Sequence, residues 1–221
     1  LLKKFPETLE ITKISTQTFD KGGVDEFEMT SFNRMLPGQP DAFADLTVDG
    51  LKTGTTDAAG ESFVGTTKKN GFRIITVVMN AGGDADDKGK RFKKTATVMR
   101  YVYDNWTKTE VYPAGDTKVA KPVTLRYGKE KSVKVATKSP VVAFVQNDTT
   151  AKTTVKMNNN KDLNSTKKGQ VLGYVQIADD GLGYLQAKDD KVALVATKTV
   201  KEKNIFERLG QGIGEFFGGL F

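Results

Sequence analysis

The chain of 221 residues contains no cysteine and no histidine, and its formal net charge is +7. The absence of histidine excludes a Ser-His-Asp triad, a Cys-His pair and most zinc sites, so acid–base chemistry must use lysine, tyrosine or carboxylates. Hydrophobic residues make up 38% and charged residues 28% of the chain. This composition is typical of a globular protein, and the length suits one large or two modest domains. We expect no metal and no cofactor.

The positive charge is concentrated in the second half of the chain. Residues 1–108 hold 16 Lys and Arg against 15 Asp and Glu, whereas residues 109–221 hold 18 against 12. A basic half favours an anionic surface such as lipid headgroups or a cell-wall polymer, although lysines on solvated strand faces explain it equally well. Nucleic acid is not an expected partner, because no recognition-helix, RRM, KH or zinc-finger pattern is present.

Short elements joined by loops are predicted for the first 46 residues. Leu1–Phe5 is typical of a helix end closed by Pro6, so we expect the chain to begin inside a domain. Alternating apolar and polar residues predict a short strand over Leu9–Ile14 and a second one over Phe27–Asn33. Residues 40–46 are predicted to be a connector.

The most informative stretch for chemistry is residues 48–60, Val-Asp-Gly-Leu-Lys-Thr-Gly-Thr-Thr-Asp-Ala-Ala-Gly. On a strand beside a catalytic serine, Lys52 would offer an ammonium and Thr53 a hydroxyl to a substrate carboxylate. Gly54 has no side chain, so a substrate backbone could lie flat against the strand at that point. The alternative without a chemical role is a β-hairpin with glycine at its turns.

A hairpin and a helix are predicted after this stretch. Ser62–Thr67 and Phe72–Met79 flank Asn70-Gly71, the favoured two-residue turn. We expect this hairpin to pair beside the Lys-Thr-Gly strand in one antiparallel sheet. Apolar residues then recur at steps of three and four over Lys88–Trp106, which predicts an amphipathic helix packed on the sheet.

The string at residues 48–60 resembles a motif of the low-molecular-mass penicillin-binding proteins, the serine-type D-Ala-D-Ala carboxypeptidases. In the wider group of these proteins and class A β-lactamases, K-T-G is the third motif after S-x-x-K and S-D-N. Asn33, shortly before the apolar pair Met35-Leu36, extends the resemblance upstream. The resemblance implies an α+β fold, in which residues 1–108 form the C-terminal part of a β-lactamase/transpeptidase-like catalytic domain.

The resemblance also implies the chemistry of acyl transfer. In the family a serine attacks the carbonyl between the two terminal D-alanines of the peptidoglycan stem peptide, a nearby lysine deprotonates the serine, and β-lactams imitate the dipeptide. Lys52, Thr53 and Gly54 would bind the substrate, together with Thr55 at a position where other members often carry histidine. Arg91, at the start of the predicted helix, would lend charge near the substrate carboxylate, and a solvated arginine is the alternative.

The family's nucleophile, general base and S-x-N motif are expected to lie before Leu1, so this chain alone is predicted to be inactive. Two stretches spell similar patterns. Ser165-Thr166-Lys167-Lys168 spells S-x-x-K, but it follows the K-T-G motif in a polar loop. Ser31-Phe32-Asn33 spells S-x-N, but it lies too close to Lys52 in the sequence.

An all-β second domain is predicted over residues 109–200, and the family carries such a domain after its catalytic domain. Eight short runs separated by turn residues suggest a small β-sandwich. The predicted strands are Thr109–Tyr112, Val123–Tyr127, Ser132–Ala136, Val141–Val145, Thr153–Met157, Gln170–Ile177, Gly183–Ala187 and Val192–Ala196.

Residues 201–221 predict an amphipathic helix that lies in a membrane interface, although glycines lower its helix propensity. Packing on the β domain is the alternative. The apolar face comprises Ile205, Phe206, Leu209, Ile213, Phe216, Phe217 and Leu220. The expected parent is a secreted, peripheral carboxypeptidase on the extracytoplasmic face of a bacterial membrane, with stem peptides, β-lactams and the membrane surface as partners. The rival is a non-catalytic module that binds membrane or cell wall.

Overall fold

The computed structural model describes residues 1–82, 89–158, 163–178 and 191–218, with side chains as far as Gln211 in the last helix. The chain divides into two compact units, Leu1–Lys108 and Thr109–Phe221. Each unit is built around its own cluster of buried apolar side chains.

The first unit begins with a short helix, α1 (Thr8–Thr12), and a two-stranded hairpin of β1 (Thr16–Phe19) and β2 (Phe27–Thr30). A three-stranded antiparallel sheet follows, in the order β3 (Val48–Thr56), β4 (Gly60–Lys69) and β5 (Phe72–Val78).

The predicted hairpin beside the Lys-Thr-Gly strand is confirmed. Strand β4 pairs antiparallel with both β3 and β5. Asn70 and Gly71 make the β4–β5 turn with φ angles of 53° and 77°. Two successive positive φ angles are what a type I′ turn requires, and Asn-Gly adopts them at the lowest steric cost.

The strand predicted over Leu9–Ile14 is wrong, because this stretch contains helix α1. The backbone N–H of Lys13 donates to the carbonyl oxygen of Leu9 at 3.1 Å, and Thr12 Oγ1 donates to the carbonyl oxygen of Asp49 in β3 at 2.9 Å. Six alternating residues are too few to separate the strand periodicity from the helix periodicity, and the helix that forms is in contact with β3. The helix end predicted at Leu1–Phe5 is instead a hydrogen-bonded turn.

Helix α2 (Lys90–Asn105) covers one face of the sheet. Its buried apolar side chains Phe92, Ala96, Met99 and Tyr103 recur at steps of four, three and four, as predicted for an amphipathic helix. Phe92 meets Phe63 of β4 edge to face, with ring centroids 5.2 Å apart. Lys88, included in the predicted helix, lies outside the described residues.

In its described residues, the second unit is all-β before its final helix, as predicted. Its strands are β6 (Trp106–Tyr112), β7 (Val123–Thr124), β8 (Ser132–Val133), β9 (Val135–Thr137), β10 (Val141–Gln146), β11 (Thr153–Met157), β12 (Val171–Ile177) and β13 (Lys191–Ala196). They form a four-stranded sheet, β11-β12-β13-β9, and the two-stranded sheets β6-β10 and β7-β8. Strands from all three sheets contribute to one apolar core. The predicted strand Gly183–Ala187 lies outside the described residues.

The last element is helix α3 (Ile205–Gly218). It begins with a reciprocal cap, in which Asn204 Oδ1 accepts from the N–H of Glu207 at 2.8 Å and Glu207 Oε2 accepts from the N–H of Asn204 at 2.7 Å. This capping box fixes the start of the helix. The hydrogen bond to Asn204 also lowers the pKa of the Glu207 carboxyl. Within the described part of the chain, no helix is long and apolar enough to cross a membrane.

Candidate substrate-binding strand

The Lys-Thr-Gly motif lies on β3, which is an edge strand of the three-stranded sheet in the first unit. Val48 and Gly50 are buried, whereas Lys52 and all residues from Gly54 to Thr56 are exposed. The ammonium of Lys52 donates to the carbonyl oxygen of Thr53 on its own strand. The motif is therefore held by a buried beginning of the strand and presented on an open end.

Gly54 leaves space above the strand. Among the described residues, no heavy atom other than those of its chain neighbours lies within 4 Å of a Cβ built at this position. Packing within the described residues therefore does not require glycine here. The open space is compatible with a substrate backbone lying flat against the strand at Gly54, which stays a prediction.

Arg91 reaches this open end from the first turn of α2. Its Nη1 donates to Thr55 Oγ1 at 2.9 Å and to the carbonyl oxygen of Gly54 at 3.3 Å. Its guanidinium carbon lies 4.9 Å from the centre of the Phe92 ring. The residue is only 8% exposed, so the alternative of a solvated arginine is wrong. The structure thus brings Lys52, Thr53, Gly54, Thr55 and Arg91 to one strand end.

Glu61 is a member of this cluster that the sequence reasoning missed. In the β3–β4 register it lies opposite Thr55, and its Oε1 is 3.8 Å from Arg91 Nη2. Both side chains are largely buried, with exposures of 13% for Glu61 and 10% for Arg91. No sequence signal marks it, because a charged residue after a glycine turn is ordinary at the start of an exposed strand.

A second ion pair holds the other end of β3. The guanidinium of Arg73 in β5 donates to both carboxylate oxygens of Asp49, at 2.6 and 2.7 Å, and to Thr66 Oγ1 at 3.0 Å. This bond to Asp49 raises the pKa of Arg73 above its usual value. Bidentate pairs of this kind fix orientation as well as adding energy, so the strand is locked in position before the motif begins.

The structure describes the surroundings of Ser31 and Ser165, the serines of the two stretches that spell S-x-N and S-x-x-K. Ser31 Oγ accepts from the N–H of Asn33 at 3.2 Å. Asn33 is itself buried, and its Oδ1 accepts from the N–H of Met35. In the second unit, Ser165 precedes an isolated bridge between Thr166 and Val200.

The predicted membrane-facing side chains are described only in part. Ile205, Phe206 and Leu209 are exposed, by 68%, 79% and 60%. The side chains of Ile213, Phe216 and Phe217 lie outside the described residues, and so does the whole of Leu220.

Comparison with known proteins covers both units. Residues 1–83 match the model of the D-alanyl-D-alanine carboxypeptidase family, and residues 106–202 match the model of the penicillin-binding protein 5 C-terminal domain. The chain is 27% identical over 161 residues to the D-alanyl-D-alanine carboxypeptidase DacF of Bacillus subtilis (strain 168), an alignment that covers 71% of this chain and 38% of DacF.

Solved structures show the same likeness. The peptidoglycan synthesis regulatory factor PBP3 of Streptococcus pneumoniae matches with a TM-score of 0.72 and 33% identity, over 91% of this chain and 54% of that one. Penicillin-binding protein 5 of Haemophilus influenzae matches in fold with a TM-score of 0.64 and 23% identity, over 91% of this chain and 53% of that one.

The predicted α+β class is confirmed by these neighbours and by the antiparallel sheets of both units. The chain spans about half the length of the two solved structures and 38% of DacF. The two family matches follow one another along the chain and together take in nearly all of it up to residue 202. As a partial chain, it therefore belongs to the D-Ala-D-Ala carboxypeptidase family, the low-molecular-mass penicillin-binding proteins.

Proposed function

We propose that this chain is part of a carboxypeptidase that removes the terminal D-alanine from peptidoglycan stem peptides. The observation that carries the proposal is the meeting of Arg91 with the exposed end of the Lys-Thr-Gly strand, where its Nη1 donates to Thr55 Oγ1 and to the carbonyl oxygen of Gly54. Two cationic side chains, those of Lys52 and Arg91, are thus brought to one exposed strand end. Gly54, which has no side chain, lies on the strand between Lys52 and the Thr55 that Arg91 contacts.

The substrate backbone lies along β3 at Gly54, and its terminal carboxylate binds the Lys52 ammonium and the Thr53 hydroxyl. A guanidinium has only donors, so Thr55 Oγ1 accepts from Arg91 and keeps its own proton for the ligand. These groups hold the carboxylate and bias the local field where negative charge develops. β-Lactams place their own carboxylate in the same position, in keeping with the penicillin-binding relatives.

The reaction is acyl transfer to a serine supplied by a preceding part of the parent protein. The serine oxygen bonds to the carbonyl carbon between the two D-alanines, and the peptide C–N bond breaks. The departing D-alanine amine takes up the serine proton through a neighbouring lysine. Water then hydrolyses the ester and restores the serine, so that the net change is hydrolysis of one peptide bond.

The test is the intact mass of a longer protein that contains this chain, measured over time with benzylpenicillin. We expect one stoichiometric adduct, formed about 10²- to 10³-fold more slowly after Lys52→Gln because a charge-stabilising donor is lost. Lys68→Gln, which alters an exposed lysine of the neighbouring strand, is the matched control and should acylate normally.

The 221-residue chain should gain no mass under the same conditions. An adduct mapped to Ser31 or Ser165 of this chain would overturn the assignment of the motifs. Neither an adduct nor release of D-alanine by the longer protein would instead favour the rival function, a module that binds membrane or cell wall without catalysis.

We also propose that α3 lies in the membrane interface and places the protein on the extracytoplasmic face of a bacterial membrane. Polar side chains of α3 contact the rest of the second unit: Glu207 pairs with Lys129 at 3.4 Å, and Arg208 lies 5.2 Å from the ring of Tyr127. Ile205 and Phe206 remain exposed. A helix that uses its polar side for the protein and leaves apolar side chains outside supports an interfacial position.

Co-sedimentation with phosphatidylglycerol vesicles tests this position. The intact chain should bind, and Phe206→Ser combined with Leu209→Ser should reduce the partition coefficient at least tenfold, because two large apolar groups no longer enter the interface. Val24→Ser changes a fully exposed apolar residue of the first unit and should have no effect. Equal binding by all three proteins would contradict the proposal.

A further inference from the structure

The charge of Arg91 is balanced inside the fold by Glu61. Arg91 lies at the N-terminal end of α2, where the helix dipole is positive, and the first turn contains no acidic residue. A largely buried cation at this position is unfavourable unless an anion faces it. Among the described residues, the acid that pairs with Arg91 is Glu61.

The geometry of the pair indicates how Glu61 acts. Its Oε1 is 3.8 Å from Arg91 Nη2, which is longer than a hydrogen bond. Among the described residues, neither Glu61 Oε2 nor Arg91 Nε has a hydrogen-bond partner, and both atoms are buried. Glu61 therefore acts on Arg91 mainly through its charge, while the directed hydrogen bonds of Arg91 go to Thr55 and Gly54.

We infer that Glu61 is a positioning and charge-balancing residue, which acts through Arg91 to set how strongly this strand attracts the carboxylate of its ligand. The inference rests on the proposed function for the identity of that ligand. With Glu61 ionised, Arg91 and Glu61 together add no net charge, and the exposed Lys52 supplies the attraction. The shortened peptide product also ends in a carboxylate, so a moderated attraction favours its release.

This role predicts a change opposite in sign to that of a purely structural one. Glu61→Gln keeps the shape of the side chain and removes its charge, so Arg91 becomes an uncompensated cation. Binding of a carboxylate-terminated ligand should then become about two- to fivefold tighter, and added salt should reduce the gain. A ligand with a C-terminal amide carries no charge at that end and should bind as before.

The experiment is a chemical-shift titration of the ¹⁵N-labelled chain with N-acetyl-D-Ala-D-Ala and, separately, with its C-terminal amide, followed at the amides of Gly54 and Thr55. Binding needs no nucleophile, so the readout does not depend on turnover. Glu28→Gln, in the exposed strand β2, is the matched control. A thermal melt of each variant shows whether it is folded.

Arg91→Gln combined with Glu61→Gln keeps the variant testable if the single change prevents folding. The double variant restores charge balance, so its affinity for the dipeptide should return to within about twofold of the original. Equal weakening of both ligands by Glu61→Gln, or equal affinities in the single and double variants, would overturn the inference. So would unshifted Gly54 and Thr55 signals in the unmodified chain, whereas failure of the penicillin test alone concerns the proposed function.

Discussion

Strand β3 is anchored at one end and open at the other. Its first residues are buried or paired: Asp49 binds Arg73 through both carboxylate oxygens, and its carbonyl oxygen accepts from Thr12. From Lys52 onward the residues are mostly exposed, although pairing with β4 continues, and Arg91 donates to Thr55 Oγ1 and to the carbonyl oxygen of Gly54. A strand that is rigid at one end can hold a recognition motif in a fixed position while leaving that motif free for a ligand.

The same contrast separates two glycines of adjacent strands. Among the described residues, a Cβ at Gly54 would have no heavy atom within 4 Å, whereas a Cβ at Gly65 would lie 2.7 Å from Phe63 Cε1 and 3.0 Å from Met99 Cε. Gly65 is therefore explained by close packing around it, to which α2 contributes Met99. Packing within the described residues does not explain Gly54, which is why we propose that a ligand approaches there.

The largest expected effect comes from removing the support beneath the strand. Phe63 is 1% exposed, lies opposite Thr53 and packs on Phe92. Phe63→Ala should lower the free energy of unfolding of the first unit by about 3–5 kcal/mol, because transfer and cavity costs add. Urea unfolding followed at amide signals of residues 1–108 measures it. Val77→Ala, at a site 64% exposed, should change the free energy by less than about 0.5 kcal/mol.

The next largest effects are expected at the two glycines, Gly65 and Gly54. Gly65→Ala should lower the free energy of unfolding by about 1–3 kcal/mol, because the added methyl group overpacks a tight contact. Gly54→Ala should leave it unchanged within about 0.5 kcal/mol but weaken binding of N-acetyl-D-Ala-D-Ala. Urea unfolding and ligand titration of both variants measure the change in stability and the change in affinity. If Gly54→Ala lowered the free energy of unfolding as much as Gly65→Ala, the conclusion that this end of β3 has space for a side chain would be wrong.

The pair that anchors the strand should contribute less. Asp49→Asn keeps the shape but loses the ionic, bidentate contact with Arg73, so the free energy of unfolding should fall by about 1–2 kcal/mol. Arg73→Lys should give a similar loss, since an ammonium cannot bind both carboxylate oxygens in the same way. A double-mutant cycle isolates the coupling, and additive losses would show that the pair contributes nothing of its own.

The smallest expected effect is on the stability of the first unit at acidic pH. Asp45, just before β3, accepts from Arg100 of α2 at 2.8 and 2.9 Å, and this bonding lowers the pKa of the Asp45 carboxyl from 3.8 to about 2. The folded pKa is below the unfolded one, so the stabilisation is present above about pH 4 and is lost as the pH falls towards 2.

Both Asp45 and Arg100 are more than one third exposed, so solvent screening limits this stabilisation to less than about 1 kcal/mol. Asp45→Asn should flatten the corresponding part of the stability–pH curve. Urea unfolding of both proteins between pH 2 and 6 measures the difference in their free energies of unfolding. Identical curves would show that the Asp45–Arg100 pair does not contribute to stability.

Local patterns determined much of the fold in advance. Asn70-Gly71 specifies its turn through backbone φ angles alone, and the apolar steps from Phe92 to Tyr103 specify a helix and the face that it buries. The Lys-Thr-Gly string identified the candidate strand for the same reason, because its residues are consecutive. The prediction for Leu9–Ile14 is wrong because its short alternation fits both a strand and a helix. The helix that forms there contacts a residue 37 positions away, through the hydrogen bond from Thr12 to Asp49.

The candidate motif, the hairpin, the helix of the first unit and the all-β character of the second could thus be predicted from the amino-acid order, since each depends on neighbours along the chain. The burial of Arg91 against Thr55 and Gly54, and its pairing with Glu61, became visible only in the folded chain. The environment of a charge depends on its burial and on partners distant in sequence. Neither can be read before the sheet and helix are packed together.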